Sequence, residues 1–340
     1  MRFPAPAISP LYTARRGLST SVARRVPLLI SPKEYKELPR ATTLPLDVSW
    51  HMPNSPRSAI AEYLSGPRMP GAKRFDLDEV ADLALESNPH GLGHMLPTKE
   101  VFIEAARKLG IQDDTHVVLY DTIGIFSSPR AAYTFKTFGH DKVSVLNGGL
   151  PRWIAEGGEV ETGEVQQSGA IESEYKGGQG PKRDWVRSYE QIVENSEKNP
   201  SDTSFEVVLD HRPLARFTGE APEPRPGLSS GHIPNSSPLP FLSYLNPADD
   251  KKPYTSFKSL DELKKVLVDG VGGEDKFREL LQKDQGVVFT CGSGMTAAIG
   301  WLANELLREK EGKAFKTALY DESWTGYALR QESKIVKGNA

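Results

Sequence analysis

Short apolar runs rich in β-branched residues recur along the chain, and each stops at a polar or glycine-rich loop: "THVVLYDTIG" (115–124), "KVSVLNGG" (142–149), "FEVVLDHR" (205–212), "GVVFTCGSG" (286–294) and "FKTALYDES" (315–323). Runs of this length without alternation predict strands buried on both faces. Between them "SSPRAAYTFKTFG" (127–139), "KFRELLQK" (276–283) and "GMTAAIGWLANELLREKEG" (294–312) carry helical patterns. Strands alternating with helices predict an α/β fold, in which a parallel sheet is flanked by its crossover helices.

The pattern runs twice. "LPLDVSW" (44–50) matches "FEVVLDHR", "MPGA" (69–72) matches "IPNS" (233–236), "VVLYD" (117–121) matches "VVFTC" (287–291), and "VLNGGLPRW" (145–153) matches "ALYDESW" (318–324). Spacing agrees as well. Asp47 precedes Asp121 by 74 residues and Asp210 precedes Cys291 by 81, while Trp153 and Trp324 follow Asp121 and Cys291 by 32 and 33. A duplicated domain is the expectation, with halves at residues 31–158 and 184–335. The stretch 159–183, rich in Gly, Ser and charge, reads as the linker, because that composition buries too little apolar surface to fold alone.

The first 33 residues contain no Asp or Glu but carry Arg2, Arg15, Arg16, Arg24, Arg25 and Lys33. An Arg-rich, Ser-containing, acid-free leader predicts mitochondrial targeting by residues 1–30, with a second pool in the cytoplasm left open. No window approaches 18 consecutive apolar residues, so no membrane-spanning helix is expected. The net charge of −3 gives no electrostatic reason to bind nucleic acid directly.

Cys291 is the only cysteine in 340 residues. An internal disulfide is excluded, as is a zinc site with two cysteine ligands. The thiol stands where a predicted strand ends and a helix begins, between Thr290 and the small residues Gly292, Ser293 and Gly294. Glycines let successive N–H groups turn inward into an anion-binding nest, and the positive end of the following helix acts in the same direction, so both favour the nucleophilic thiolate. The matched position in the first half is Asp121, which cannot replace a sulfur nucleophile, so the second half is expected to be catalytic. A tyrosine-phosphatase-type loop needs an arginine after five residues to grip phosphoryl oxygens; Ala297 stands there, which disfavours that chemistry. Sulfur transfer through a cysteine persulfide is the chemistry left.

The stretches "PGAKRFDLDEVAD", "HMLP", "FSSPRAAYTFKTFGHDKVSVLNGGLPRW", "ARFTGEAPEPRPGLSSGHIPNS" and "CGSGMTA" together resemble the tandem rhodanese family of sulfurtransferases from about residue 40 to 330. The resemblance implies two rhodanese-like domains, and a reaction in which Cys291 takes sulfur from 3-mercaptopyruvate, releases pyruvate and passes the sulfur to a thiol, cyanide or a protein. Family members that use thiosulfate have a basic Cys-Arg-x-Gly-Val-Thr loop. The neutral Cys-Gly-Ser-Gly-Met-Thr here is similar to the mercaptopyruvate type, and makes Gly292, Gly294, Met295 and Thr296 part of the expected substrate site. By the same resemblance Arg216 and Arg225 bind the substrate carboxylate and carbonyl, and Ser293, His94 and Asp78 form a proton-handling set. Thiosulfate as donor, or a sulfur relay serving tRNA thiolation with little small-molecule turnover, are the alternatives. No metal or organic cofactor is implied. With no second cysteine, thioredoxin or another external thiol or protein acceptor must take the sulfur. Two local departures stand out: "RMPGA" where His-Ile-Pro-Gly-Ala is usual, and "YDESWTGYA" where Ser-Trp-x-Glu-Trp is usual.

Overall fold

A computed structural model describes Met1 and residues 26–165, 173–178 and 180–338. Five strands form the first sheet: β1 (Leu29–Ile30), β2 (Thr43–Asp47), β3 (Lys73–Arg74), β4 (His116–Tyr120) and β5 (Val143–Leu146). Five more form the second: β6 (Val186–Arg187), β7 (Val207–Asp210), β8 (Ser236–Pro238), β11 (Gly286–Thr290) and β12 (Lys316–Tyr320); β9 (Leu245–Asn246) and β10 (Ser256–Phe257) make a separate antiparallel pair. The spatial orders are β1-β5-β4-β2-β3 and β6-β12-β11-β7-β8. Every pairing within these two sheets is parallel. Position for position they are one topology used twice, so the duplication read from the sequence is the architecture.

The central strands β4 and β11 are buried almost throughout, which is why they read as unbroken apolar runs. The helices Ser128–Thr137 and Ala297–Glu311 leave the C-terminal ends of these strands and pack on each other, with Tyr133 and Trp301 meeting edge to face at 5.2 Å. One apolar core therefore runs through both halves, while Trp153 and Trp324 anchor smaller clusters on the outer faces of their own sheets. The matched turns also agree: Gly71 and Asn235 both take left-handed conformations (φ 70° and 61°), the region that favours Gly and tolerates Asn.

Three helices that the sequence reading passed over, Lys99–Lys108, Tyr189–Glu197 and Leu260–Gly270, each bury a narrow apolar face, through Phe102 and Ala106, Tyr189 and Ile192, and Leu263 and Leu267. Their signal lies in the caps: Ser188 with Gln191 and Ser259 with Glu262 form capping boxes, and Thr98 accepts from the Val101 N–H.

Two boundaries shift. The targeting segment was expected to run to residue 30, and residues 2–25 of it lie outside the described residues. Its last residues, however, belong to the sheet: Leu28 and Ile30 are buried, and the Leu28 carbonyl accepts from the Val145 N–H at 2.7 Å. The described parts of the linker also pack. Tyr175 is 1 % exposed against Phe102, its carbonyl takes a hydrogen bond from Arg107 Nε, and the Lys182 N–H donates to the Thr137 carbonyl. A segment too polar to fold alone can still lie on an existing surface when one aromatic side chain and its backbone groups find partners there. Arg68, the departure at "RMPGA", anchors its start by donating to the carbonyls of Gly163 and Glu164.

Candidate active site

Strand β11 delivers Cys291 to the C-terminal edge of the second sheet, where ligands collect in open α/β folds. The thiol is 2 % exposed. The Cys291 N–H donates to Ser323 Oγ at 3.2 Å, the Trp324 N–H donates to the Cys291 carbonyl, and the Gly292 carbonyl accepts from both the N–H and the hydroxyl of Thr325. The "DESWT" stretch that departs from the family pattern thus clamps the cysteine loop. Gly294 has φ 80°, and a Cβ there would lie 2.8 Å from the Asp321 carbonyl oxygen, so only glycine fits.

Above the loop lies a cavity of roughly 210 Å³. It is lined by Cys291, Gly292, Ser293, Met295 and Thr296 of the loop, by Arg216 and Arg225, and by the apolar side chains Trp50, Met52 and Phe126 of the first half. The sequence-predicted arginines are therefore brought to the cysteine, and Gly292 keeps the way open between them: a Cβ there would stand 3.2 Å from Arg216 Nη2 and 3.8 Å from Arg225 Nη1. Of the predicted loop residues, Gly294 lies under the surface and shapes the loop; it does not line the cavity.

The two arginines differ. Arg216 is held by Glu223 through Nε at 3.1 Å and Nη2 at 2.5 Å. Glu223 also accepts from Arg212, which grips the Asp210 carboxylate, donates to the Gly231 carbonyl and stacks over Trp324 at 4.1 Å. Arg225 donates to no protein group among the described residues. Burial, reinforced by Arg216, lowers its pKa, against the opposing charges of Cys291, Glu223 and Asp78. A partly desolvated guanidinium facing a cavity is ready to take an anionic oxygen.

Across the junction Asp78 Oδ1 lies 3.0 Å from His94 Nδ1, while its Oδ2 accepts from the Trp50 indole N–H at 2.8 Å. Burial raises the Asp78 pKa, but the hydrogen bond and charge of His94, the Trp50 indole and Arg225 together hold it below the usual carboxylate value. The aspartate thus fixes both a histidine and an aromatic wall, whose Trp50 ring meets His94 edge to face and stacks on Phe126. No hydrogen bond joins His94 to Ser293; His94 Nε2 is buried without a partner among the described residues. Two of the three predicted proton-handling residues are assembled, and the third stands beside the thiol.

Sequence reasoning missed Trp50, Met52 and Phe126, which sit in the half without the cysteine, and Arg212 and Glu223, which hold Arg216. Glu223 had a signal: an acid flanked by Pro222 and Pro224 in the stiffened stretch between Arg216 and Arg225.

The first half has the same loop with a different occupant. The Asp121 carboxylate accepts from the N–H groups of Ile123, Gly124, Phe126, Ser127 and Ser128 at 2.9–3.2 Å and from the Ser128 hydroxyl at 2.7 Å. Thr255 of the second half closes this loop, accepting from the Ile125 N–H.

Two copies of one parallel-sheet unit, one ending in a thiol under an arginine pair and the other in a buried carboxylate, define a tandem sulfur-transfer fold. Residues 57–156 match the Rhodanese-like domain. The chain is 36 % identical over 314 residues to a probable 3-mercaptopyruvate sulfurtransferase of Schizosaccharomyces pombe, covering 91 % of this chain and 95 % of the relative. It is 36 % identical to a mitochondrial thiosulfate/3-mercaptopyruvate sulfurtransferase of Arabidopsis thaliana, covering 85 % and 73 %. The crystal structure of the Saccharomyces cerevisiae Tum1 protein superposes with a TM-score of 0.76 at 29 % identity, covering 92 % of this chain and 99 % of that one. The chain belongs to the two-domain rhodanese-fold sulfurtransferase family.

Proposed function

We propose that this enzyme moves sulfur from 3-mercaptopyruvate to Cys291 and on to an external acceptor. The single observation that carries the reading is that the buried Cys291 lines one cavity together with Arg216, Arg225 and the apolar side chains Trp50, Met52 and Phe126. The arginines fit the two oxygen functions of a 2-oxo acid, and the apolar wall suits a donor with a carbon body better than an inorganic dianion.

In the first step the Cys291 thiolate attacks the donor sulfur. An S–S bond forms as the S–C bond breaks, and the electron pair of that bond becomes the enolate of pyruvate, its negative oxygen facing the guanidinium groups. Uptake of one proton by the enolate carbon gives pyruvate, and loss of the sulfhydryl proton leaves the Cys291 persulfide anion. His94, oriented by Asp78, is the group to shuttle protons at this stage, with Ser293 completing the path. In the second step a thiolate or cyanide attacks the outer sulfur and the Cys291 thiolate leaves. With one cysteine in the chain, the acceptor is external: thioredoxin, another thiol or a protein. We read the acid-free start of the chain, expected above to run to residue 30, as a mitochondrial leader whose removal stops before Pro27, since Leu28 and the strand Leu29–Ile30 belong to the sheet. A reporter fused to residues 1–26 that stays in the cytosol overturns that part.

Paired steady-state assays test the donor: pyruvate from 3-mercaptopyruvate, and thiocyanate from thiosulfate plus cyanide, with Cys291→Ser as the blank. The larger kcat/KM is expected for 3-mercaptopyruvate; a larger value for thiosulfate rejects the neutral-loop reading.

A further inference from the structure

Arg130 is an arginine in the wrong company. It lies on the helix Ser128–Thr137, where Ala131, Ala132, Tyr133 and Phe135 are all buried, and it is itself 1 % exposed. Its guanidinium crosses to the other half. Nη2 lies 2.6 Å from Asp321 Oδ1 and donates to the His94 carbonyl at 2.8 Å, while Nη1 donates to the Gly294 carbonyl at 3.4 Å. Asp321, just past β12, accepts the Leu96 N–H through Oδ2 at 2.8 Å. One buried ion pair thus holds both ends of the turn 94–96 and the crown of the cysteine loop.

We infer that Arg130 and Asp321 are positioning residues that set His94 against the Cys291 loop. The inference rests on reading His94 as a proton-handling group. Two local facts show the need for such a device. His94 has φ 45°, a left-handed conformation disfavoured for a residue with a side chain, so the turn must be held from outside. Gly294 is equally constrained, since a Cβ there would also stand 3.1 Å from Arg130 Nη1. An apolar pair of the same volume would hold the halves together equally well, but only directed bonds to two carbonyls and one N–H fix how far the histidine stands from the loop.

A double-mutant cycle tests this, using Arg130→Met, Asp321→Asn and His94→Gln singly and in pairs, with kcat, KM and the pH profile for pyruvate release and a melting temperature for each. Arg130→Met is expected to lower kcat about tenfold or more, to leave KM within about twofold and to displace a limb of the kcat profile, yet to change kcat less than about twofold in the His94→Gln background, because groups acting as a unit are non-additive. Asp321→Asn keeps the shape and the acceptor for Leu96 and removes the charge, so it reports if Arg130→Met fails to fold. Equal losses in both backgrounds overturn the inference and leave the His94 reading standing. A His94→Gln enzyme with undiminished kcat removes the His94 reading, and this inference with it.

Discussion

The Asp121 and Cys291 loops leave matched strand ends, each turning at a positive-φ glycine three residues on, Gly124 and Gly294, and they part company in what the strand end presents. In the first half the carboxylate is the ligand of its own nest: five N–H groups and a hydroxyl converge on it, and Thr255 shuts the loop from above. In the second half a thiol takes that place, the cover is replaced by a cavity, and Arg216 and Arg225 stand where charge arrives. A turn that concentrates donors on an anion serves stability when the anion is built in, and chemistry when the anion is a nucleophile with room above it. The first half supplies what a closed half can supply: the wall of Trp50, Met52 and Phe126, the Asp78–His94 pair and the Arg130 clamp.

The largest effect should come from making the two loops alike in function. Cys291→Ser is expected to cut kcat/KM by at least about 10³-fold, as loss of a nucleophile does, with the melting temperature nearly unchanged. The converse variant, Asp121→Cys in the Cys291→Ser background, should stay inactive, because Thr255 closes that loop; recovered pyruvate release would break the comparison at its root. Next, Arg225→Ala should lower kcat/KM about 10–100-fold, the worth of a charge-assisted hydrogen bond of roughly 1.5–3 kcal/mol, and steady-state kinetics would show the loss. Asp121→Asn should leave turnover intact and destabilise the fold by about 1–3 kcal/mol in urea titration, since an amide NH₂ would face N–H donors. A variant as stable as the parent would mean that the nest is not a source of stability.

The smallest effect concerns acid. Burial first, helped in the case of His116 by His140 and Lys142, lowers the pKa of His116 in the first half and of His211 in the second to about 4 from 6.5. A histidine buried neutral binds its proton in the unfolded chain before the folded one, so its contribution is complete above about pH 6.5 and is lost as pH falls toward 4. Melting temperature should be flat above that range and decline through it, and His116→Gln should shallow the decline by removing one half's share.

How much of this was legible follows from what kind of signal each part carries. The strands read easily because β4, β7, β11 and β12 are buried on both faces and so leave unbroken apolar runs, and the duplication was legible because those runs keep their spacing. Cys291 and its glycines announced themselves, while Arg216 and Arg225 were picked out by the family resemblance together with the stiffened segment that carries them. Arg130 and Asp321 did not: their meaning is a contact between residues nearly two hundred positions apart, and one sequence holds no record of which buried charge meets which. The same holds for Trp50, whose indole is assigned by the second oxygen of Asp78. Packing of the linker was hidden for a different reason, since composition measures whether a segment can fold alone and not whether it can lie on a neighbour.

The central claim is that Cys291 carries the sulfur. Intact-mass spectrometry of the protein after brief exposure to 3-mercaptopyruvate, without any acceptor, tests it most directly: a gain of one sulfur atom, located on the peptide containing Cys291, absent from Cys291→Ser and removed by cyanide, is the predicted result. Pyruvate release on the first turnover with no sulfur added to the protein would contradict the account.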